Sequence, residues 1–106
     1  MFYELRQYRI RDGYMDRWVR LMEEEIIPFQ VARGMVILGS FRGEDDDSIY
    51  VWMRRFKDEA ERERLYRAVY ESDHWKSNIA PRVSEMMDRA SMKVIRLAAT
   101  EKSPIR

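Results

Sequence analysis

The stretch Met35-Val36-Ile37-Leu38-Gly39-Ser40-Phe41-Arg42, followed by Gly43-Glu44-Asp45-Asp46-Asp47-Ser48 and then Ile49-Tyr50-Val51-Trp52-Met53-Arg54-Arg55-Phe56, decides the fold. Its flanks are rich in β-branched and aromatic residues, which suit extended chain. Its middle is glycine and acid, the composition of a turn between antiparallel neighbours. The acid run lacks the alternating ligand pattern of a calcium loop, so it reads as a solvated hairpin tip and not as a cation site. Both strands are apolar on both faces. On the first, Met35, Ile37 and Phe41 oppose Val36 and Leu38; on the second, Ile49, Val51 and Met53 oppose Tyr50, Trp52 and Phe56. A sheet face that meets water should be polar, so each face of this sheet needs a cover.

Upstream, Phe2 to Ile10 reads as a strand with Phe2, Glu4, Arg6, Tyr8 and Ile10 on one face. Asp12-Gly13 punctuates, and Asp12 is expected to cap the helix that begins at Tyr14. Met15, Trp18, Met22, Ile26 and Phe29 recur every three or four residues and make one apolar stripe. Pro28 lies deep in this helix and predicts a kink or break, with Phe29 to Arg33 as a separate last turn and Gly34 as the stop. Downstream, Asp58-Glu59-Ala60-Glu61 has the form of a capping box. The helix it opens runs to about Glu71, with Leu65, Ala68 and Val69 inward and its Arg and Glu residues as a solvated face. Ser72-Asp73 looks like a second cap, before a short helix carrying Trp75 and Ile79. Val83, Met86 and Met87 suggest a further turn, and Ala90 to Ala98 is the last strand.

The order is β-α-β-β-α-β, an α+β domain with a four-stranded antiparallel sheet and helices on one face. One domain over residues 1–98 with a polar tail at 99–106 accounts for the chain. The helices cover one sheet face only. A second copy, set against the open face, is the expected cover for the other, giving a homodimer. The net charge of +1, from 20 basic and 19 acidic residues, gives no reason to expect nucleic acid as a partner. It does permit self-association. The absence of cysteine excludes disulfides and thiolate chemistry. No apolar run approaches the length of a membrane span, and the first residues lack the form of a signal peptide, so the cytoplasm is the expected location.

Five motifs in order carry a resemblance: Tyr3-Glu4-Leu5-Arg6-Gln7-Tyr8-Arg9, Gly13, Val51-Trp52, Glu61-Arg62-Glu63-Arg64 and Ser72-Asp73-His74-Trp75. Together they resemble the NIPSNAP family, within the dimeric α/β-barrel superfamily, over nearly the whole chain to about residue 98. The resemblance implies a ferredoxin-like fold whose sheets pair across a two-fold axis. The superfamily includes cofactor-free monooxygenases, heme-degrading oxygenases, muconolactone isomerases and chlorite dismutases, among which fold alone does not choose. The heme-degrading pattern is not matched. Its axial histidine falls at or beside Ile79 and its asparagine at Arg6.

The resemblance also implies a pocket between sheet and helices, reached by Glu4, Arg6 and Tyr8. Glu4 and Arg6 share a face and can pair. The pairing is either structural or part of a site in which Arg6 holds an anionic oxygen beside Tyr8. His74, the one histidine, is either a cap or a general base at the pocket mouth. Trp75 is the pocket aromatic, while Trp18 and Trp52 fit the core. Catalytic candidates are therefore His74, Arg6 and Tyr8; ligand-binding candidates are Glu4, Arg6, Tyr8 and Trp75; no metal or organic cofactor is expected. The function so implied is binding or transformation of a small aromatic or anionic metabolite by a cofactor-independent monooxygenase- or isomerase-like protein. The alternative is a non-catalytic dimeric module for ligand sensing or protein interaction.

Overall fold

A computed structural model describes residues 1–106. The elements are β1 (Phe2–Ile10), α1 (Met15–Leu21), a π-helical turn (Met22–Ile26), α2 (Ile27–Ala32), β2 (Val36–Arg42), β3 (Ile49–Phe56), α3 (Glu59–Tyr70), a second π-helical turn (Trp75–Ile79), α4 (Ala80–Met86) and β4 (Met87–Leu97). The strands form one antiparallel sheet in the order β2-β3-β1-β4. This is the four-stranded antiparallel sheet expected from the element order, in the ferredoxin-like arrangement that the resemblance implies.

Strand β1 pairs with β3 so that Phe2, Glu4, Arg6 and Tyr8 lie opposite Phe56, Arg54, Trp52 and Tyr50. These even positions make the helix-facing side. Under α1, α2 and α4 the main core gathers Tyr8, Ile10, Trp18, Met22, Ile26, Tyr50, Trp52, Ile79 and Val83. Under α3 a smaller core joins Met35, Phe56, Leu65 and Val69. Ala68 does not join it; the residue is exposed, because the third inward row of α3 is Arg62, Tyr66 and Tyr70.

Several details differ from the sequence reading for local physical reasons. The first helix does not break at Pro28. A π-helical turn precedes it, with the Ile27 amide donating to the Met22 carbonyl, and α2 then starts with the proline in its first turn. Proline lacks an amide proton and crowds the carbonyl four residues back, and a helix widened by one residue accommodates both. The same device recurs before Pro81, where Ala80 N–H donates to the Trp75 carbonyl. Asp12 is not the cap of α1; the cap position is Tyr14, and no side chain accepts there. Met87 is not a last helical residue but the first of β4, which follows α4 with no loop.

Other local signals hold. Asp58 accepts from Glu61 N–H at 2.8 Å, and Ser72 Oγ accepts from Trp75 N–H at 3.1 Å. Gly34 takes φ +107, a left-handed conformation that lets Met35 N–H return to the Gln30 carbonyl at 3.0 Å.

The opposite sheet face has no helix over it. The register of β2 slips between Ile37 and Gly39, so Val36, Gly39 and Phe41 face outward and Ile37, Ser40 and Arg42 face the helices. Strict alternation had put Ile37 with Phe41; the bulge at Leu38 separates them. The Phe41 ring lies over Gly39, where a Cβ would meet it at 2.5 Å. Phe41 (61% exposed), Ile95 (49%), Leu97 (38%) and Val36 (37%) leave this face apolar and open. The tail folds back over one end of it. Tyr3 Oη–H donates to the Ile105 carbonyl at 3.4 Å, Arg55 bonds the Arg106 carbonyl, and Ile105 shares a shallow groove with Tyr3, Met53 and Leu97. No helix is long and apolar enough to cross a membrane.

Trp52 is 2% exposed, packs edge-on against Tyr8, and donates from Nε1 to Tyr8 Oη at 2.9 Å. Trp52→Ala should therefore destabilise the fold by about 3–5 kcal/mol. Urea denaturation checks this, and a loss under about 1 kcal/mol would show that the ring contributes little to the core.

Candidate functional site

Beneath the helices a cavity of about 320 Å³ opens between the sheet and the two π-helical turns. Arg6, Tyr8 and Trp52 form its floor; Trp18, Met22 and Ile26 one wall; Tyr66, Tyr70 and Trp75 another; Val83, Met87, Arg89 and Met92 the side nearest β4. Both π-helical turns contribute to the lining, through Met22, Ile26 and Trp75. Such turns place side chains where a regular helix would not.

The mouth is shaped by an irregularity in β4. Gln7 pairs with Lys93 and Arg9 with Asp88, so residues 89–92 bulge out opposite Tyr8 alone. Asp88 and Ser91 build the bulge. Ala90 N–H donates to Asp88 Oδ1 at 3.1 Å, Ser91 Oγ–H to the Asp88 carbonyl at 2.6 Å, and Arg9 N–H to Ser91 Oγ at 3.0 Å. The bulge carries Arg89 and Met92 to the cavity.

A buried ionic network lies behind the floor. Arg54 and Glu4, opposite one another on β3 and β1, are both 0% exposed and bond at 2.9 Å. Arg54 also donates to Gln30 Oε1 (2.9 Å), Tyr70 Oη (2.7 Å) and Tyr66 Oη (2.7 Å), and lies 4.7 Å from the centre of the Trp52 ring. Glu4 accepts in addition from Arg62 Nε at 2.7 Å and Tyr66 Oη–H at 2.7 Å. Burial pushes the Glu4 carboxyl up. The bond from Arg62, the charge of Arg54 and the bonds from Tyr66 and Arg54 together more than offset that, holding it below its ordinary range.

Arg6 sits at the edge of this network. Its nearest carboxylate oxygen is Glu4 Oε1 at 3.8 Å, already held by Arg54 and Tyr66. Its own bonds go to neutral groups: Tyr8 Oη (2.7 Å), Tyr66 Oη (3.2 Å) and Met92 Sδ (3.0 Å). Its side chain is 12% exposed. Burial pushes the Tyr8 hydroxyl up, the Arg6 charge opposing, and burial pushes Tyr66 up to about 12. Both phenols stay protonated near neutrality and act as hydrogen-bond donors, not as bases.

Of the residues singled out in the sequence, Arg6, Tyr8 and Trp75 meet in the cavity. Glu4 stands behind them and reaches no cavity wall. His74 is exposed, with Nδ1 3.1 Å from Asn78 Nδ2 and its ring 4.9 Å from that of Phe29; it does not line the cavity. Trp18 and Trp52 are core and lining at once. Sequence reasoning missed Arg54, Arg62, Tyr66, Tyr70 and Arg89. The signal for three of them was the i, i+4 row Arg62, Tyr66, Tyr70, hidden among charges that read as a solvated face. Nowhere do three His, Asp or Glu side chains converge as a metal site requires.

Removing the charge of Glu4 leaves Arg54 buried without its counter-ion. Glu4→Gln should cost about 3–5 kcal/mol at pH 7. Because the folded Glu4 is held below its ordinary value of 4.5, its contribution is fully present above about that pH and disappears as pH falls through the lowered folded value. The stability gap between wild type and Glu4→Gln, read from urea midpoints, should be constant from pH 8 to 6 and narrow below about pH 4.5.

A family model described as NIPSNAP matches residues 3–102. A NIPSNAP family protein from Agrobacterium tumefaciens str. C58 superposes with a TM-score of 0.87 at 29% identity, over 99% of this chain and 98% of that chain. A NIPSNAP family protein with unknown function from the same organism gives 0.89 at 21% identity, over 100% of this chain and 94% of that one. An antibiotic biosynthesis monooxygenase shares the fold at a TM-score of 0.69 and 17% identity, over 94% of this chain and 99% of that chain. No curated protein matches the sequence. With nearly the whole chain matched by the family model and the same fold in its solved members, this protein belongs to the NIPSNAP family.

Proposed function

We propose that the chain is a homodimeric, cytoplasmic protein that binds a small aromatic or anionic metabolite in the cavity between sheet and helices. The carrying observation is Arg6, a cation lining an aromatic cavity whose one carboxylate neighbour, Glu4, is 3.8 Å away and bound more closely by Arg54 and Arg62. A long ion pair and bonds to neutral groups leave a mostly buried charge incompletely met, and an anionic ligand oxygen would complete its set. The rings of Trp18, Trp52 and Trp75 in the lining suit a flat ligand.

Any chemistry at this site would be cofactor-independent and monooxygenase- or isomerase-like, resting on stabilisation of an enolate or phenolate by Arg6 and Tyr8. No carboxylate or imidazole lines the cavity to take a proton. That observation favours the second reading, a ligand sensor without catalysis, over base-driven turnover.

The homodimer part of the proposal rests on the open face of Val36, Phe41, Ile95 and Leu97, an apolar patch that a second copy would cover. Sedimentation should give twice the chain mass for wild type and the single-chain mass for Phe41→Asp. A monomeric wild type would overturn the dimer.

For the ligand, the three cavity tryptophans are the reporters. Naphthalene-2-carboxylate should quench their emission saturably, and Arg6→Met should weaken that binding by about tenfold or more. Equal affinity in a folded Arg6→Met protein would sink the reading of Arg6 as the anion's partner.

A further inference from the structure

The polar chemistry of the cavity is one-sided. Tyr8 Oη receives Arg6 Nε–H at 2.7 Å and Trp52 Nε1–H at 2.9 Å, which occupies both of its lone pairs. Its own proton has no acceptor in the protein. Arg6 gives one Nη1 N–H to Tyr66 and one Nη2 N–H to a methionine sulfur, a weak acceptor, which leaves one N–H on each Nη without a hydrogen bond. Arg89, exposed on the β4 bulge, also lines the cavity. Its Nε donates to Ser84 Oγ at 3.0 Å, and its Nη groups meet no carboxylate. Apart from the aromatic hydroxyl and indole groups, the lining between these two arginines is carbon and sulfur. An apolar cavity with a nearly buried arginine and an exposed one in its lining favours a molecule that carries two acceptor groups.

We infer that the ligand is two-headed: a flat apolar body with a deprotonated oxygen group at each end, the inner one held by Arg6 and the Tyr8 hydroxyl proton, the outer one by Arg89. This rests on the reading of the cavity as a ligand site and adds the class of molecule that fills it. It also assigns the β4 bulge a task. A regular strand would pair straight past Tyr8, whereas the bulge holds a second cation in the lining.

The test compares naphthalene-2-carboxylate with naphthalene-2,6-dicarboxylate, which share a body and differ in the second head, with naphthalene itself as the neutral control. Dissociation constants come from tryptophan quenching at fixed ionic strength. The diacid should bind about tenfold more tightly than the monoacid. Arg89→Ala should bring that ratio near one, and Arg89→Lys should restore most of it. Arg89 is exposed, so both variants should fold. Tyr8→Phe should weaken the diacid, because it removes the inner donor while keeping the ring. Equal affinities for monoacid and diacid, or a ratio unmoved by Arg89→Ala, overturn the two-headed ligand and leave the cavity as a binding site. Absence of saturable binding by all three compounds overturns the inference together with the reading beneath it.

Discussion

The structure is organised around one buried charge. Arg54 projects from the middle of the sheet into a space closed to water, and a guanidinium cannot shed its charge there. It must be met, and each layer of the fold sends something to meet it: β1 the carboxylate of Glu4, α2 the amide oxygen of Gln30, α3 the hydroxyls of Tyr66 and Tyr70. An ion pair of this kind contributes little net stability compared with a well-packed apolar substitute, but breaking it is expensive. Its effect is on arrangement. A helix docked one residue out of phase would leave Arg54 unmet. The same arithmetic shapes the cavity, because the single buried carboxylate is held closely by Arg54 and Arg62, and Arg6 approaches it only to 3.8 Å.

The architecture was largely legible because it rests on periodicity. Alternation along residues 2–10 and 49–56, and the apolar stripe from Met15 to Phe29, are the same patterns that the sheet and helices bury. What escaped were departures from regular repeat. A bulge at Leu38 reversed the facing of half of β2, and another at residues 89–92 rebuilt the start of β4. Neither has a strong signature in a strand-like run. Pro28 announced a disturbance, and the sequence pattern alone does not distinguish a break from a widened turn.

The site was legible on β1 and obscure elsewhere. Arg6 and Tyr8 could be placed because strand alternation assigns each to a face. Nothing in the pair Arg54-Arg55 itself tells the buried arginine from the exposed-side one; the cross-strand position of Glu4 does. His74 drew notice for its chemistry, yet its place at the start of a helical turn leaves it outside the cavity. Titratable character is a property of the residue alone, whereas enclosure depends on elements distant in the chain. That is why a histidine can look catalytic and stand in solvent, while tyrosines in a charged helix form a wall.

The two π-helical turns bear on how this chain can vary. Each is equivalent to one residue added to an α-helix, and each lies directly over the cavity. Loss of that residue would rewind the helix and rotate everything after it by about 100°, the angle per residue implied by 3.6 residues per turn. Pro28 would then clash with the preceding turn, and the side chains over the slot would be dealt anew. Cavity shape in such a protein is thus tied to chain length at two points, so that single-residue insertions and deletions there, more than substitutions, are the large steps open to it in changing what it holds.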